Sequence, residues 1–143
     1  MADAKMSVAE LEAFLHAEFP QAFTQGGDIT IEQADGASCR LRQRFNEGML
    51  RPGGTVSGPT LMALADFAMY VVLLSAIGPV GLAVTTNLNI NFLRKGAPGQ
   101  DLRADARLLK LGKRLAVGEV TLLSGDCDAP IAHVTATYSI PNA

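Results

Sequence analysis

The sequence predicts an α+β fold in which one long buried helix is enclosed by a curved antiparallel β-sheet. An apolar segment, residues 60–77, contains a single charged side chain, that of Asp66. After this segment the hydrophobic period changes from 3.6 residues to 2, which indicates strands. Four predicted strands then follow one another through short loops, which favours an antiparallel meander. A sheet of this kind would curl around the helix.

The central helix is predicted over about residues 58–77. Ser57 or Gly58 can cap its start, and Pro59 suits a first turn, where a missing N–H costs nothing. Gly78-Pro79 ends it. A segment of this length is near the lower limit for a membrane span. An aspartate within it, the absence of a basic cluster at its far end and the strand patterns that follow favour a core helix instead.

Length, charge and composition restrict the function. The 143 residues fit a single domain, 1–143, with a good-sized core. A formal net charge of -2 argues against nucleic acid as a partner. Cys39 and Cys127 lie far apart without metal-ligand spacing, so we interpret both as free thiols in a reducing compartment. With His16 and His133 as the only histidines, no zinc constellation is available and no metal site is predicted.

The N-terminal region has acidic residues and no apolar h-region, so no signal peptide is visible and a cytoplasmic location is expected. Ser7 and Glu10 form a capping-box pattern, and apolar residues then recur at helical spacing. A short amphipathic helix is therefore predicted over about residues 8–19, ended by Pro20. His16 lies within this helix and is expected to have a surface or packing role.

Alternation of apolar and polar residues predicts the strands. A short strand at residues 29–31 and a turn at Asp35-Gly36 precede a half-buried strand at 38–45, whose outer face is basic. After the central helix, residues 82–93 alternate strictly, with Thr85 and Asn87 on the face opposite the apolar one. Further strands are predicted over about 101–110, 113–124 and 131–140.

Three motifs occur in a characteristic order over about residues 45–125. A glycine-led helix start precedes L-x-D-x-A within the helix, and T-x-x-L-x-I-x-F-L-R follows in the next strand. The third motif is LLKLGKRLAVGEV at 108–120. This arrangement resembles the hotdog-fold acyl-CoA thioesterases, specifically the PaaI-like and 4-hydroxybenzoyl-CoA thioesterase family. The matching residues of the first two motifs are Gly54, Gly58, Leu64, Asp66, Ala68, Thr85, Leu88, Ile90, Phe92, Leu93 and Arg94.

The resemblance implies hydrolysis of aliphatic or aryl acyl-CoA thioesters to free acid and coenzyme A. It implies no metal and no cofactor beyond the coenzyme A of the substrate. Asp66 would act as nucleophile or as general base toward water, the backbone N–H of Gly58 would polarise the thioester carbonyl, and Thr85 would help to place the water or the carboxylate. It also implies a homodimer joined edge to edge, with dimers often pairing into tetramers.

The sequence departs from the usual family pattern at the helix start. Many relatives have H-G-G where this chain has Ser57, Gly58 and Pro59, and they commonly have Asn where Arg51 stands. Pro59 has no N–H, so Gly58 must act without help from its neighbour. The hydroxyl of Ser57 can still form hydrogen bonds and Arg51 adds a cation, so both are candidate substrate contacts together with Asn87.

The phosphates of coenzyme A require cations. Five basic residues lie around two turns that we expect to be adjacent, and they are the candidates for this role. Ordinary solubilising charges at hairpin tips are the alternative for each of them. The five residues are Arg94, Lys95, Lys110, Lys113 and Arg114.

Geometry predicts that each active site is shared between two chains. Asp66 lies eight residues beyond Gly58 on one straight helix, about 12 Å along its axis. Both groups must act at a single carbonyl, so one helix cannot supply both. Two helices related by a two-fold axis can.

Two other functions stay open. The loss of H-G-G is compatible with a non-catalytic acyl-CoA-binding protein. A hotdog hydratase or dehydratase usually needs a histidine paired with the acid, and His133 on a late strand is the remote candidate.

Overall fold

The computed structural model describes residues 4–24 and 28–141. The first three residues of the N-terminal segment, where no signal peptide is predicted, lie outside this range. The helices are α1 (Val8–Glu18), α2 (Gln21–Thr24) and α3 (Gly58–Ile77), and a 3₁₀ turn spans Glu47–Met49. The strands are β1 (Ile29–Ala34), β2 (Ser38–Gln43), β3 (Val84–Phe92), β4 (Leu102–Leu111), β5 (Leu115–Ser124) and β6 (Ala132–Ser139).

The strands form one six-stranded antiparallel sheet in the order β1-β2-β4-β5-β6-β3. Helix α3 contacts all six strands, so the sheet curves around it and the core lies between the two. The predicted fold class, a long central helix wrapped by an antiparallel sheet, is confirmed. No sequence pattern predicted α2 or the 3₁₀ turn, which are short.

Helix α3 has the bounds predicted from its capping residues. Ser57 is the N-cap, and its side chain accepts a hydrogen bond from the backbone N–H of Thr60. The helix ends at Gly78, whose φ of 96° favours glycine. The helix has a mean hydropathy of 2.0 and the length to cross a membrane, yet 72% of its apolar window is buried inside the fold. Burial in the core therefore accounts for its composition.

The predicted order of strands is wrong for β3. Strands β4, β5 and β6 form the expected meander, but β3 pairs with β6 at the far edge of the sheet and not with β4. The segment from residue 93 to 101 carries the chain between β3 and β4. A short loop shows only that two strands follow each other closely along the chain. It does not determine whether they pair with each other or lie at different places in the sheet.

The predicted strict alternation of β3 is also wrong at its start. The register with β6 shifts between Thr85 and Asn87, which is a β-bulge at Thr86. Thr85 pairs with Tyr138 and Leu88 pairs with Ala136, and both partners are buried. Because paired residues share a face, Thr85 points inward with Leu88 rather than outward. The bulge is what directs Thr85 toward α3.

Local contacts in the N-terminal half agree with the sequence predictions. The capping box of α1 forms between Ser7 and Glu10, and the helix ends at Glu18. The carboxylate of Asp35 accepts hydrogen bonds from two backbone N–H groups and closes the β1–β2 turn. On the outer face of β2, Arg40 and Arg42 form ion pairs with acids of neighbouring elements.

Helix α3 packs closely against the sheet at Gly118 of β5. A Cβ atom at this position would lie 2.5 Å from Sδ of Met69 and 2.9 Å from the carbonyl oxygen of Arg107. No side chain fits in this space unless the Met69 side chain and the strand that carries Arg107 move. The separation between helix and sheet therefore depends on glycine here.

We predict that Gly118→Ala lowers the free energy of unfolding by about 1–3 kcal/mol, the usual cost of overpacking a core. Urea denaturation measures this difference. Thr135→Val, at an exposed position of the neighbouring strand, is the control and should change stability by less than about 0.5 kcal/mol. A Gly118→Ala variant as stable as the control would show that Met69 has room to move.

Candidate active site

Asp66 is a partly exposed acid on α3 that accepts hydrogen bonds from two strands. Thr85 Oγ1 on β3 donates to Asp66 Oδ1 over 2.6 Å. The Tyr138 hydroxyl on β6 lies 2.8 Å from the same Oδ1 and 3.0 Å from the main-chain oxygen of Asp66. The structure thus brings together the predicted pair Asp66 and Thr85, and adds a third residue.

Sequence reasoning missed Tyr138. Its side chain is buried, and its ring stacks on that of Tyr70 with centroids 6.1 Å apart. Burial and the negative charge of Asp66 raise the pKa of the Tyr138 hydroxyl. A tyrosine at an inward position of a strand needs a partner for its hydroxyl, and this was the available signal. That this partner is Asp66 became evident only from the structure, in which the pairing of β6 with β3 places Tyr138 beside Thr85.

Asp66 opens into a groove of about 710 Å³, which we call the Asp66 groove. One wall is the side of α1, another is the segment that leads into β3, and Tyr138 and Thr85 lie beside the acid. The groove is lined mainly by apolar and aromatic side chains, as is usual for ligand sites. Its wall residues include Phe14, Phe19, Tyr70, Leu82 and Val84, with Glu18 as the second acid.

A smaller cavity of about 210 Å³ also borders Asp66, on the side of β1 and β2. Phe19, Tyr70 and Tyr138 line both spaces. The smaller cavity has apolar walls and contains the buried side chain of Gln43. Asp66 therefore borders two neighbouring spaces of mostly apolar character.

Gly58 supplies a backbone donor at the start of α3. The first N–H groups of a helix have no intrahelical acceptor. Here Pro59 has no N–H, the N–H of Thr60 is bonded to Ser57 Oγ, and the N–H of Leu61 is bonded to the main-chain oxygen of Ser57. Gly58 therefore remains as the donor of the first turn, at the positive end of the helix dipole.

A second groove, which we call the Gly58 groove, has a volume of about 470 Å³. Arg51, Arg94 and Lys95 line it, so three of the predicted substrate-binding cations surround the helix start. Phe92 closes one side, since a Cβ atom on Gly58 would lie 3.2 Å from Cζ of its ring. The groove combines a backbone donor with positive charge.

The residues that line the Asp66 groove and the Gly58 groove form two separate sets. Asp66 and Gly58 are eight residues apart on one helix, about 12 Å along its axis. Strand β3 runs between the grooves, from Thr85 beside Asp66 to Phe92 beside Gly58. Within one chain the acid and the donor cannot reach the same carbonyl carbon.

The expected proximity of the five phosphate-binding candidates is wrong within a single chain. Arg94 and Lys95 follow the end of β3, whereas Lys110, Lys113 and Arg114 surround the β4–β5 turn. That turn lies at the opposite end of the sheet, because Leu115 and Val84 both pair with Ser139. Closeness in sequence did not imply closeness in space because β3 lies beyond β6.

Ser57 and Asn87, the other two residues predicted to contact the substrate, lie in different parts of the fold. The hydroxyl of Ser57 caps α3 and lies 2.8 Å from Oγ1 of Thr60, so it is part of the helix start. Asn87 pairs with Thr137 beyond the bulge, on the outer face of the sheet and away from Asp66. Asn87 is therefore separated from the acid in its own chain.

Neither histidine is close to Asp66. His16 stacks on Phe23 with centroids 3.9 Å apart, in agreement with a packing role. His133 lies on the outer face of β6, 2.8 Å from a carboxylate oxygen of Glu119, and its hydrogen bond lowers the pKa of that carboxyl. His133 therefore does not form with Asp66 the His–acid pair that a hotdog hydratase would need. Among the described residues, no group of three His, Cys, Asp or Glu side chains could hold a metal ion.

Comparison with known proteins identifies the family. The thioesterase superfamily matches residues 53–131, which include the helix start, Asp66 and Thr85. A predicted esterase of Saccharolobus solfataricus is 31% identical over 122 residues, which cover 85% of this chain and 77% of that protein. A solved structure of a predicted thioesterase from a Silicibacter species is 45% identical, with a TM-score of 0.87 over 97% of this chain and 94% of the other.

More distant solved structures share the fold. The E. coli PaaI protein of the phenylacetic acid degradation operon has a TM-score of 0.77 and 21% identity, covering 96% of this chain and 98% of that one. A predicted thioesterase of Streptococcus pneumoniae, solved with coenzyme A, has a TM-score of 0.76 and 20% identity, covering 92% and 97%. From its sequence match and its hotdog fold, we conclude that the chain belongs to the thioesterase superfamily.

Proposed function

We propose that the protein hydrolyses acyl-CoA thioesters to a free acid and coenzyme A. The observation that carries this proposal is the Asp66 carboxylate, which faces an apolar groove while Thr85 and Tyr138 hold one of its oxygens. Thioester hydrolysis is the chemistry of the family to which the chain belongs. The coenzyme A in the related structure from Streptococcus pneumoniae supports a coenzyme A ester as the ligand.

Asp66 can act by either of two routes. As general base, it takes a proton from water, and the resulting hydroxide adds to the thioester carbon. As nucleophile, a carboxylate oxygen adds to that carbon, and water later hydrolyses the mixed anhydride. Both routes form a tetrahedral oxyanion, which the N–H of Gly58 stabilises, and both expel the thiolate of coenzyme A when the C–S bond breaks. The protein groups do this without a metal.

Each active site is shared between two copies of the chain. One copy provides Asp66 and Thr85, and the Gly58 N–H comes from the second, because the two groups lie too far apart on one helix. A two-fold axis brings the Asp66 groove of one subunit against the Gly58 groove of the other. The acid and the oxyanion donor then face the same carbonyl.

The free edge of β3 is the surface through which the two chains pair. β3 is the last strand of the sheet, and its other edge carries no partner strand among the described residues. Val84 and Phe92, at its two ends, are 56% and 55% exposed. A two-fold axis between Leu88 and Asn89 would place Thr85 opposite the partner's Phe92, which lies beside Gly58. This pairing assembles two sites in each dimer.

The phosphate contacts are also assembled by this dimer. Antiparallel pairing of the two β3 strands brings Arg94 and Lys95 of one subunit to the end of the sheet where Lys113 and Arg114 of the other lie. Phosphate groups favour such a set of cations from two sides. We propose that these residues, with Arg51 and Lys110, bind the nucleotide end of coenzyme A.

A reducing, cytoplasmic compartment fits this chemistry. Cys39 is buried and its thiol lies 3.4 Å from the main-chain oxygen of Ala68, while Cys127 is exposed. Both cysteines are free thiols, which persist in reducing compartments. We propose that the reaction takes place in the cytoplasm, and the two free thiols support this.

The first experiment measures thiol release from a panel of aliphatic and aryl acyl-CoA esters. We expect the wild-type protein to hydrolyse members of the panel, and Asp66→Asn to abolish turnover because it removes the base or nucleophile but keeps the shape. Circular dichroism and acyl-CoA binding of Asp66→Asn should stay close to wild type. Binding without turnover by the wild-type protein would contradict hydrolysis and favour a non-catalytic acyl-CoA-binding protein.

The second experiment tests the shared site by mixing two inactive chains. Asp66→Ala lacks the acid, and Gly58→Val blocks the oxyanion donor, so each homodimer should be inactive. A mixed dimer contains one site with both defects and one with neither. Random pairing makes about half of the dimers mixed, so about a quarter of wild-type activity should return after co-refolding. Background activity in preparations shown to contain mixed dimers would exclude a shared site.

The third experiment separates phosphate binding from chemistry. Reversing Lys113 and Arg114 to Glu should raise KM for CoA esters several-fold with little change in kcat, because remote contacts are made equally in the ground and transition states. A pantetheine thioester lacks the nucleotide and should be hardly affected. The control, Lys5→Glu with Arg44→Glu, changes the net charge equally at exposed positions outside both grooves. Equal damage with both substrates would exclude the phosphate role.

A further inference from the structure

We propose that Tyr138 is a positioning residue that orients the Asp66 carboxylate so that Oδ2 is the oxygen available for reaction. This inference rests on the proposed thioester hydrolysis. Both side-chain donors to Asp66, the hydroxyls of Thr85 and Tyr138, bond to Oδ1. Within residues 4–24 and 28–141, no hydrogen bond or ion pair occupies Oδ2.

Two donors on one oxygen restrict the carboxylate more than either could alone. The side-chain torsion that turns a carboxylate is broad and has no strongly preferred value. Thr85 approaches from β3 and Tyr138 from β6, so rotation of the carboxylate would break bonds to two different strands. A fixed orientation holds the free oxygen in one position, so that reaction would need no search among rotamers.

Tyr138 is itself held firmly. Its side chain is 4% exposed, and its ring stacks on that of Tyr70 at an interplanar angle of 18°. The Tyr70 hydroxyl donates to the main-chain oxygen of Gly81 over 3.0 Å, which ties this ring to the segment before β3. The Tyr138 hydroxyl therefore has a defined position from which to orient the acid.

The Tyr138 hydroxyl acts as a donor and not as a base. Burial and the charge of Asp66 raise the pKa of Tyr138, so the hydroxyl keeps its proton at neutral pH. Its single proton is directed to Asp66, either to Oδ1 at 2.8 Å or to the main-chain oxygen at 3.0 Å. That main-chain oxygen already accepts an i→i+4 hydrogen bond within the helix. The carboxylate oxygen is therefore the acceptor that depends more on the Tyr138 hydroxyl.

Tyr138→Phe tests this role because it removes only the hydroxyl. We expect kcat to fall tenfold or more with KM within twofold of wild type, since orientation matters for the reaction more than for binding. Ser75→Ala is the control, because it also removes a buried hydroxyl from the core, one that donates to the main-chain oxygen of Val72. Its kcat should stay within twofold of wild type. Equal kcat values for Tyr138→Phe and wild type would overturn the proposal.

A double-mutant cycle with Thr85→Val tests whether the two donors act as a unit. Thr85→Val keeps β-branching and removes the donor, and by itself should lower kcat about ten- to a hundredfold. If both bonds are needed to fix the carboxylate, the double variant should lose no more than about threefold beyond the worse single variant. If the fall in kcat of the double variant equals the product of the two single falls, the two hydroxyls act independently. That result would overturn the joint orientation of Asp66.

A measurement that needs no turnover separates this inference from the proposed function. The carboxyl carbon signal of Asp66, identified by its loss in Asp66→Asn, can be followed by nuclear magnetic resonance. We expect Tyr138→Phe to shift it and Ser75→Ala to leave it in place. An unshifted signal overturns the positioning role, even in an active enzyme. A shifted signal together with a wild-type protein that is inactive on every thioester supports the orientation and refutes the hydrolase.

Discussion

The hydrogen bonds of Asp66 to Thr85 and Tyr138 are the interaction on which the site depends. An ionised carboxylate among apolar groups is costly unless it is hydrogen-bonded, and α3 is otherwise an apolar core helix. The two donors come from β3 and β6, which are neighbours only because β3 is added at the far edge of the sheet. Strand order, the bulge at Thr86 and the burial of Tyr138 all serve this one contact.

The position of β3 has a second consequence. An edge strand leaves one row of backbone groups unpaired, and natural proteins usually cover such an edge. Here β3 lies between the Asp66 groove and the Gly58 groove, and each groove contains one of the two groups that the proposed hydrolysis uses. Pairing with a second chain would cover the edge and complete the site in one step. In the proposed dimer, assembly and catalysis would be linked through the same strand.

The first turn of α3 has few N–H donors that are not already bonded. The side chain of Ser57 accepts the N–H of Thr60 and Pro59 has no N–H, so the N–H of Gly58 is the donor left for the oxyanion of the proposed reaction. The positive charges of Arg51, Arg94 and Lys95 surround it. Where relatives have the H-G-G pattern, this chain therefore has a rim of positive charge around the positive end of the helix dipole.

Most helices and strands and the central acid could be predicted from the amino-acid sequence. Capping residues and periodicity are local properties, so the predicted bounds of α3, about residues 58–77, agree with the structure. Asp66 was identified because a single charge in a buried helix needs a physical reason. The side-by-side order of the strands could not be predicted in this way. Strand order is a long-range property, so the meander was wrong for β3, the two basic turns were wrongly placed together, and Tyr138 was missed. A bulge shifts the alternation of side chains by one residue, and it is seen only when the pairing with the neighbouring strand is known. The inward direction of Thr85 could therefore not be predicted from the alternation of apolar and polar residues.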